Sequence, residues 1–113
     1  MAIIAKSGEF TNVEMFKMLN GKAPKLSKNV GVVFDCVGFL ETSPDDDDGI
    51  SVLYIAADNG EIYASTSDTV RKTFMAMRMS FGDPTKENPI RNVVIVEGTS
   101  KNGRKYNDLD ITG

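Results

Sequence analysis

The sequence predicts a mainly β domain, in which five strands form a partly open barrel with a helix between strands three and four. Three observations support this prediction. Apolar residues alternate in short stretches, two Asn-Gly pairs mark hairpin turns, and two other stretches have apolar residues at helical spacing. The 113 residues are about the size of one domain, so we expect one core and one structural domain.

Residues 1–28 are predicted to be a helical lead-in that packs on the barrel. Thr11 and Glu14 fit a capping box, and Phe10 and Met15 stand at the hydrophobic-staple positions around it. The apolar face of this helix is expected from residues at helical spacing, which are Val13, Phe16 and Leu19. These signals predict a short helix over residues 12–20.

Residues 29–42 are predicted to be a long first strand, because apolar side chains alternate along it and Gly38 allows it to bend. A loop containing the acidic run Asp45 to Asp48 comes next. Residues 50–58 and 61–66 then form a hairpin around Asn59-Gly60, which is the preferred sequence for a two-residue type I′ turn.

That turn predicts which side chains share a face of the hairpin. It sets Tyr54 opposite Ser65 and Ala56 opposite Tyr63, so both tyrosines are expected on one exposed face. The opposite face then carries the core residues Leu53, Ile55, Ala57, Ile62 and Ala64. The alternative is that both tyrosines cover a second apolar patch, with Val52, under the N-terminal helix.

The second half of the chain is predicted to contain a helix from about residue 67 to 80, followed by strands over residues 92–99 and 104–111. A two-residue turn at Asn102-Gly103 aligns Val94 with Ile111. It also places Tyr106 opposite Thr99. In this register Glu97 faces Asp108, which is an unfavourable pair of like charges unless a bulge intervenes.

The order of three strands, a helix and two strands is that of the OB-fold, which we therefore predict for residues 29–113. With a short helix before it and the ending TSKNGRKYNDLDI, the chain resembles small phage-type single-stranded DNA-binding proteins. In those proteins a basic hairpin tip precedes a final strand. The resemblance implies sequence-tolerant binding of single-stranded DNA in replication or recombination, with RNA as a second ligand to be tested and replication proteins as candidate partners.

The resemblance also suggests where nucleic acid would bind. OB-folds stack bases on the face made by strands two and three, which here would present Tyr54 and Tyr63. The loop between strands four and five is a further contact, and its cations Lys101, Arg104 and Lys105 are expected to meet phosphates. Tyr106 could stack another base. For the basic tip the alternative is a charged turn that serves solubility alone.

The net charge of −3 is unevenly distributed along the chain. Residues 29–70 hold nine acids and no base, whereas residues 71–113 hold eight bases and five acids. We expect Asp45 to Asp48 to repel phosphate, although a solvated mobile loop is the simpler interpretation. The function that competes with DNA binding is an OB-like protein-interaction module that binds no nucleic acid.

Composition argues against an enzyme. The chain has no histidine, which removes Ser-His and Cys-His nucleophiles and His-ligated metal sites. We expect no cofactor and no catalytic residue. The single cysteine, Cys36, lies in an apolar strand pattern and is expected to be buried. The first residues do not fit a signal peptide and no stretch has twenty apolar residues, so we expect a soluble cytoplasmic protein, in the host cytoplasm if a phage encodes it.

Overall fold

A computed structural model describes residues 2–43 and 51–112, so the predicted acidic loop from Asp45 to Asp48 lies outside the described residues. The chain is mainly β, as predicted. Its elements in order are β1 (Ala2–Ser7), α1 (Asn12–Leu19), a 3-10 turn (Leu26–Lys28), β2 (Val33–Ser43), β3 (Leu53–Ala57), β4 (Ile62–Ser65), α2 (Asp68–Phe81), β5 (Ile90–Thr99) and β6 (Lys105–Ile111). Within the described ranges, no helix is long and apolar enough to cross a membrane.

The strands form one antiparallel sheet in the order β4-β3-β2-β5-β6, and β1 pairs with β2 beside this path. The long strand β2 therefore has three neighbours. Its first part pairs with β5, its middle with β3 and its last part, Phe39 to Ser43, with β1. No ladder joins β4 to β6 among the residues that can be described, so the structure corrects the predicted five-stranded barrel to an open sheet of six strands.

The extra strand is β1, and it corrects the prediction that residues 1–28 are a helical lead-in. Ile3 pairs with Thr42 and Ser7 with Phe39, with a bulge between Ile3 and Ala5. β-branched isoleucines favour a strand where a free edge is available, and β2 provides that edge. Tertiary pairing thus decides the conformation of a segment too short to show a clear period of its own.

The two helices cover opposite faces of the sheet. On the inner face, α2 buries Val70, Phe74 and Met77 against the main core. The rings of Phe39 and Phe74 meet edge to face with centroids 5.4 Å apart, and the Arg78 guanidinium lies 4.1 Å from the Phe39 centroid. On the outer face, α1 buries Met18 in a second cluster, whose other members are Leu40, Tyr54, Ala56 and Ile62.

Helix α1 begins with the predicted capping box. The Glu14 N–H donates to Thr11 Oγ1 at 3.1 Å, and the Thr11 N–H donates to Glu14 Oε1 at 2.8 Å. The predicted orientation of the helix is wrong, however. Phe10, Met15 and Met18 pack toward the sheet, whereas the expected apolar face remains exposed; its residues are Val13, Phe16 and Leu19.

Both Asn-Gly hairpins close with three loop residues instead of the predicted two. In the first, the Ala57 N–H donates to the Glu61 carbonyl and Gly60 has φ +89°. In the second, the Ser100 N–H donates to the Arg104 carbonyl and Gly103 has φ +79°. A glycine at positive φ in the last loop position forms a bulge. The sequence Asn-Gly therefore suits this three-residue loop as well as it suits a two-residue type I′ turn. Each register is thereby displaced by one residue.

Burial of Cys36 leads to a prediction about alkaline pH. Burial raises the pKa of its thiol from 9.0 to about 12, so between these pH values the unfolded chain loses a proton that the folded chain keeps. We expect the free energy of unfolding to fall across that window by about 1.4 kcal/mol per pH unit more than in Cys36→Ala. Urea denaturation at several pH values measures both slopes. Equal slopes would contradict a protonated, desolvated thiol.

Candidate nucleic-acid interface

The predicted aromatic face of Tyr54 and Tyr63 does not exist in the structure. The two side chains are 4% and 3% exposed, and they lie on opposite faces of the sheet. The three-residue loop pairs Tyr63 with Ile55 and Tyr54 with Ala64, and a displacement of one residue moves every side chain of β4 to the other face. Neither ring is available for a base to stack on.

Each tyrosine packs in a core cluster instead and makes a hydrogen bond there. Tyr54 lies under α1, as the alternative interpretation expected for both rings, and its hydroxyl donates to the Met18 carbonyl at 2.8 Å. Burial raises the pKa of this phenol. Tyr63 faces the inner core, with its ring centroid 5.4 Å from that of Phe34, and its hydroxyl accepts from Asn59 Nδ2 at 3.3 Å.

The other four predicted site residues lie together at the β5–β6 hairpin. Lys101 is in the loop, Arg104 precedes β6, and Lys105 and Tyr106 begin it. All four are exposed. We call them the hairpin surface.

The Tyr106 ring occupies the space above a glycine on the neighbouring strand. The displaced register pairs Tyr106 with Gly98 rather than with Thr99. A Cβ atom at Gly98 would lie 2.5 Å from Tyr106 Cζ, so the ring lies across the glycine. The side chain is nevertheless 42% exposed. This arrangement leaves part of an oriented aromatic ring open to solvent.

The register also removes the predicted repulsion between Glu97 and Asp108. Glu97 pairs with Asn107, and its Oε1 lies 3.6 Å from Lys105 Nζ. Both side chains of this ion pair are well exposed, so it stabilises the fold little. Lys105 can therefore exchange Glu97 for another anion at small cost.

A groove of about 510 Å³ lies beside the hairpin, and the sequence prediction missed it. Lys25 belongs to one wall, the segment before β2. Ser65, Thr66 and Ser67 belong to another, where β4 leads into α2. Asn107 of β6 also lines the groove. The groove occupies the open side of the sheet, where the segment around Lys25 bridges to Ala64 of β4.

A sequence signal for this groove does exist in β6. Leu109 and Ile111 are in phase with Asn107, and both point to the inner face. An amide side chain at an inward-facing position is an exception to the apolar alternation. It indicates either a buried hydrogen bond or a polar site.

Comparison with known proteins gives no relative for this chain. No family model matches it, and neither curated proteins nor solved structures include a significant match.

Proposed function

We propose that this chain binds single-stranded nucleic acid, and DNA in particular, without catalysing a reaction. The observation that carries the proposal is the hairpin surface, where a partly exposed Tyr106 ring that lies across Gly98 is close in sequence to the exposed cations Lys101, Arg104 and Lys105. Aromatic rings stack unpaired bases whatever their identity, and cations contact the phosphates between them. Both elements of sequence-tolerant binding thus occur within six residues of one hairpin.

The surrounding charges favour a path across the hairpin tip. Asp108 and Asp110 share one face of β6 with Tyr106, and they lie farther from the loop than Tyr106 does. Carboxylates in that direction repel phosphate, whereas Lys101 and Arg104 attract it at the tip. A bound strand would therefore cross the tip rather than follow β6 along its length.

The fold class that we propose is an open variant of the OB-fold. Strands β2 to β6 with α2 after the third of them follow the OB order, and β2 pairs with β3 and with β5 as the first OB strand does. In this variant β1 occupies the end of β2. A phage-type single-stranded DNA-binding protein of replication or recombination is the role consistent with that order and with the hairpin surface.

The direct test is titration with oligothymidylate, followed by tyrosine fluorescence. Of the three tyrosines, all of them described, Tyr106 alone is exposed, so quenching on binding should come from this ring. Tyr106→Ala should remove the quenching and weaken binding by about 1–3 kcal/mol, as measured by a labelled strand. Tyr106→Phe keeps the ring and should bind as the wild type does. Equal affinity of wild type and Tyr106→Ala would contradict stacking.

The alternative function, protein interaction without nucleic acid, has its support on α1. Val13, Phe16 and Leu19 are 63%, 59% and 42% exposed on one side of this helix. If the wild type binds no oligothymidylate at low salt, the alternative becomes the better account. If binding occurs, Phe16→Ser should leave it unchanged, since α1 lies outside the hairpin surface.

A further inference from the structure

The two β-hairpins have loops of the same kind, each with an Asn-Gly pair at its last two positions. In the first loop, both polar atoms of the Asn59 side chain make hydrogen bonds. Asn59 Oδ1 accepts from the Glu61 N–H at 2.8 Å, and Asn59 Nδ2 donates to the Tyr63 hydroxyl at 3.3 Å. These two bonds hold the side-chain amide of Asn59 in one orientation.

The equivalent residue of the second loop, Asn102, does not form the first of these bonds, because the donor is already used. The N–H at the position of Glu61 belongs to Arg104, and it donates to Ser100 Oγ at 3.2 Å. The position of Ser100 in the first loop is occupied by Ala57, which has no hydroxyl. The serine thus takes the donor that the asparagine would use.

The second bond is also missing from the second loop. Tyr106 occupies the position equivalent to Tyr63, but its hydroxyl lies over Gly98, where a Cβ atom would be 2.6 Å from it. Within the described part of the chain, Asn102 makes no side-chain hydrogen bond. Asn102 and Gly103 are both exposed. The Asn102 amide is therefore free to rotate in solvent.

The remaining Asn-Gly pair follows the last turn of α1. There Asn20 Nδ2 donates to the Phe16 carbonyl at 2.8 Å. The sequence contains three Asn-Gly pairs, all of them described, and Asn102-Gly103 is the one whose amide no hydrogen bond holds.

We propose that Asn102 is a site of spontaneous deamidation, selected over the other Asn-Gly pairs because its amide is free. The Gly103 nitrogen loses its proton to solvent and attacks Asn102 Cγ, and the side-chain nitrogen leaves as ammonia. Water then opens the resulting cyclic imide at either carbonyl, so the product is aspartate or isoaspartate. Glycine hinders the attack least of all residues, because it has no Cβ.

The attacking nitrogen is in a similar state in both hairpins. The Gly60 N–H donates to the Ala57 carbonyl at 3.3 Å, and the Gly103 N–H donates to the Ser100 carbonyl at 2.9 Å. This bond must break in either loop before the nitrogen can react, and it does not favour the second loop. The selectivity for Asn102 therefore comes from the freedom of its side chain.

Deamidation would place a negative charge at the hairpin tip, between Lys101 and Arg104 in the sequence. A carboxylate there opposes the approach of a phosphate. This consequence rests on the proposed function, whereas the deamidation itself does not. The chain would lose affinity for nucleic acid as it ages.

The first test needs no nucleic acid. Wild-type protein is incubated at mildly alkaline pH, which promotes loss of the glycine proton, and each Asn-Gly pair is followed by mass spectrometry of proteolytic peptides. Asn102 should deamidate about three- to tenfold faster than Asn59, the effect expected from hydrogen bonds that must break first. Asn20 should also be slower than Asn102. Equal rates at the three sites would overturn the proposal.

A second variant tests the cause of the selectivity. Ser100→Ala releases the Arg104 N–H, which Asn102 Oδ1 can then accept as Asn59 Oδ1 accepts from Glu61. Deamidation at Asn102 should slow, with no change at Asn59. Ser80→Ala is the matched control at an exposed position of α2. An unchanged rate at Asn102 in Ser100→Ala would overturn the role given to its free amide.

The effect on binding is measured with Asn102→Asp, which carries the charge of the product. It should weaken oligothymidylate binding by about two- to fivefold at low salt and by less as salt rises. Asn59→Asp adds the same charge at the other hairpin and should bind as the wild type does. Equal affinity of Asn102→Asp and wild type would overturn the loss of affinity. If the wild type itself binds no oligothymidylate, the proposed function fails, while the rates of deamidation still decide the modification.

Discussion

Replacing Tyr54 or Tyr63 by alanine is expected to lower the free energy of unfolding by about 3–5 kcal/mol, the usual loss when a large buried aromatic side chain is truncated. Both rings are almost fully buried, and each packs in a different core cluster. Domains of this size are stabilised by only about 5–15 kcal/mol in total. Urea denaturation should therefore show a much lower midpoint for either variant, and partial unfolding in buffer is the extreme case.

Phenylalanine variants separate the contribution of the ring from that of the hydroxyl. Tyr54→Phe keeps the packing under α1 but removes the 2.8 Å hydrogen bond to the Met18 carbonyl, which should cost about 1 kcal/mol. Tyr63→Phe should cost less, because its bond from Asn59 is long and only partly buried. A wild-type midpoint for both alanine variants would show that the rings are at the surface and restore the face predicted from the sequence.

That face was mispredicted because the same dipeptide suits two turns. Asn-Gly closes a two-residue type I′ loop or the end of a three-residue loop with a bulge, and the two choices differ by one residue in register. The phase of β3 was predicted correctly, so Leu53 and Ile55 are in the core as expected. The phase of β4 was inverted, which buried Tyr63, and the register of β5 against β6 was displaced by one residue, which set Tyr106 across Gly98.

The N-terminal segment shows what a local pattern can and cannot predict. The capping box at Thr11 depends on neighbouring residues alone, and the structure contains it. Which side of α1 meets the sheet depends on partners far away in the sequence, such as Leu40 and Ile62. Strand β1 depends on the free edge of β2 in the same way. The sequence therefore predicts local hydrogen bonding well and distant packing poorly.

The candidate site shows the same difference between features that neighbouring residues determine and features that distant residues determine. The hairpin surface was found because its cations and its tyrosine are close in sequence and a turn tip is exposed in either register. The groove was missed because Lys25, Ser65 and Asn107 come from three separate segments that only the folded chain brings together. Its one local sign was an amide in phase with Leu109.

The hairpin cations are expected to set the salt dependence of binding. Replacing Lys101, Arg104 and Lys105 together by glutamine should weaken single-strand binding for all sequences alike, because phosphate contacts carry no base information. Each cation that touches a phosphate releases a counterion, so the slope of log affinity against log salt should flatten by about 0.7 per contact, or about 2 for three contacts. Titrations at several salt concentrations measure both quantities.

The fold should be unaffected, since all three side chains are exposed and the ion pair of Lys105 with Glu97, the one that they make with residues the structure describes, is solvated. A matched control neutralises Lys6, Lys17 and Lys86, which are exposed elsewhere and change the net charge by the same amount. If only overall charge mattered, the two triple variants would lose affinity equally. A flatter salt slope in the hairpin variant alone would locate the phosphate contacts there, whereas wild-type affinity and slope would leave the basic tip a solubility feature and favour protein interaction instead.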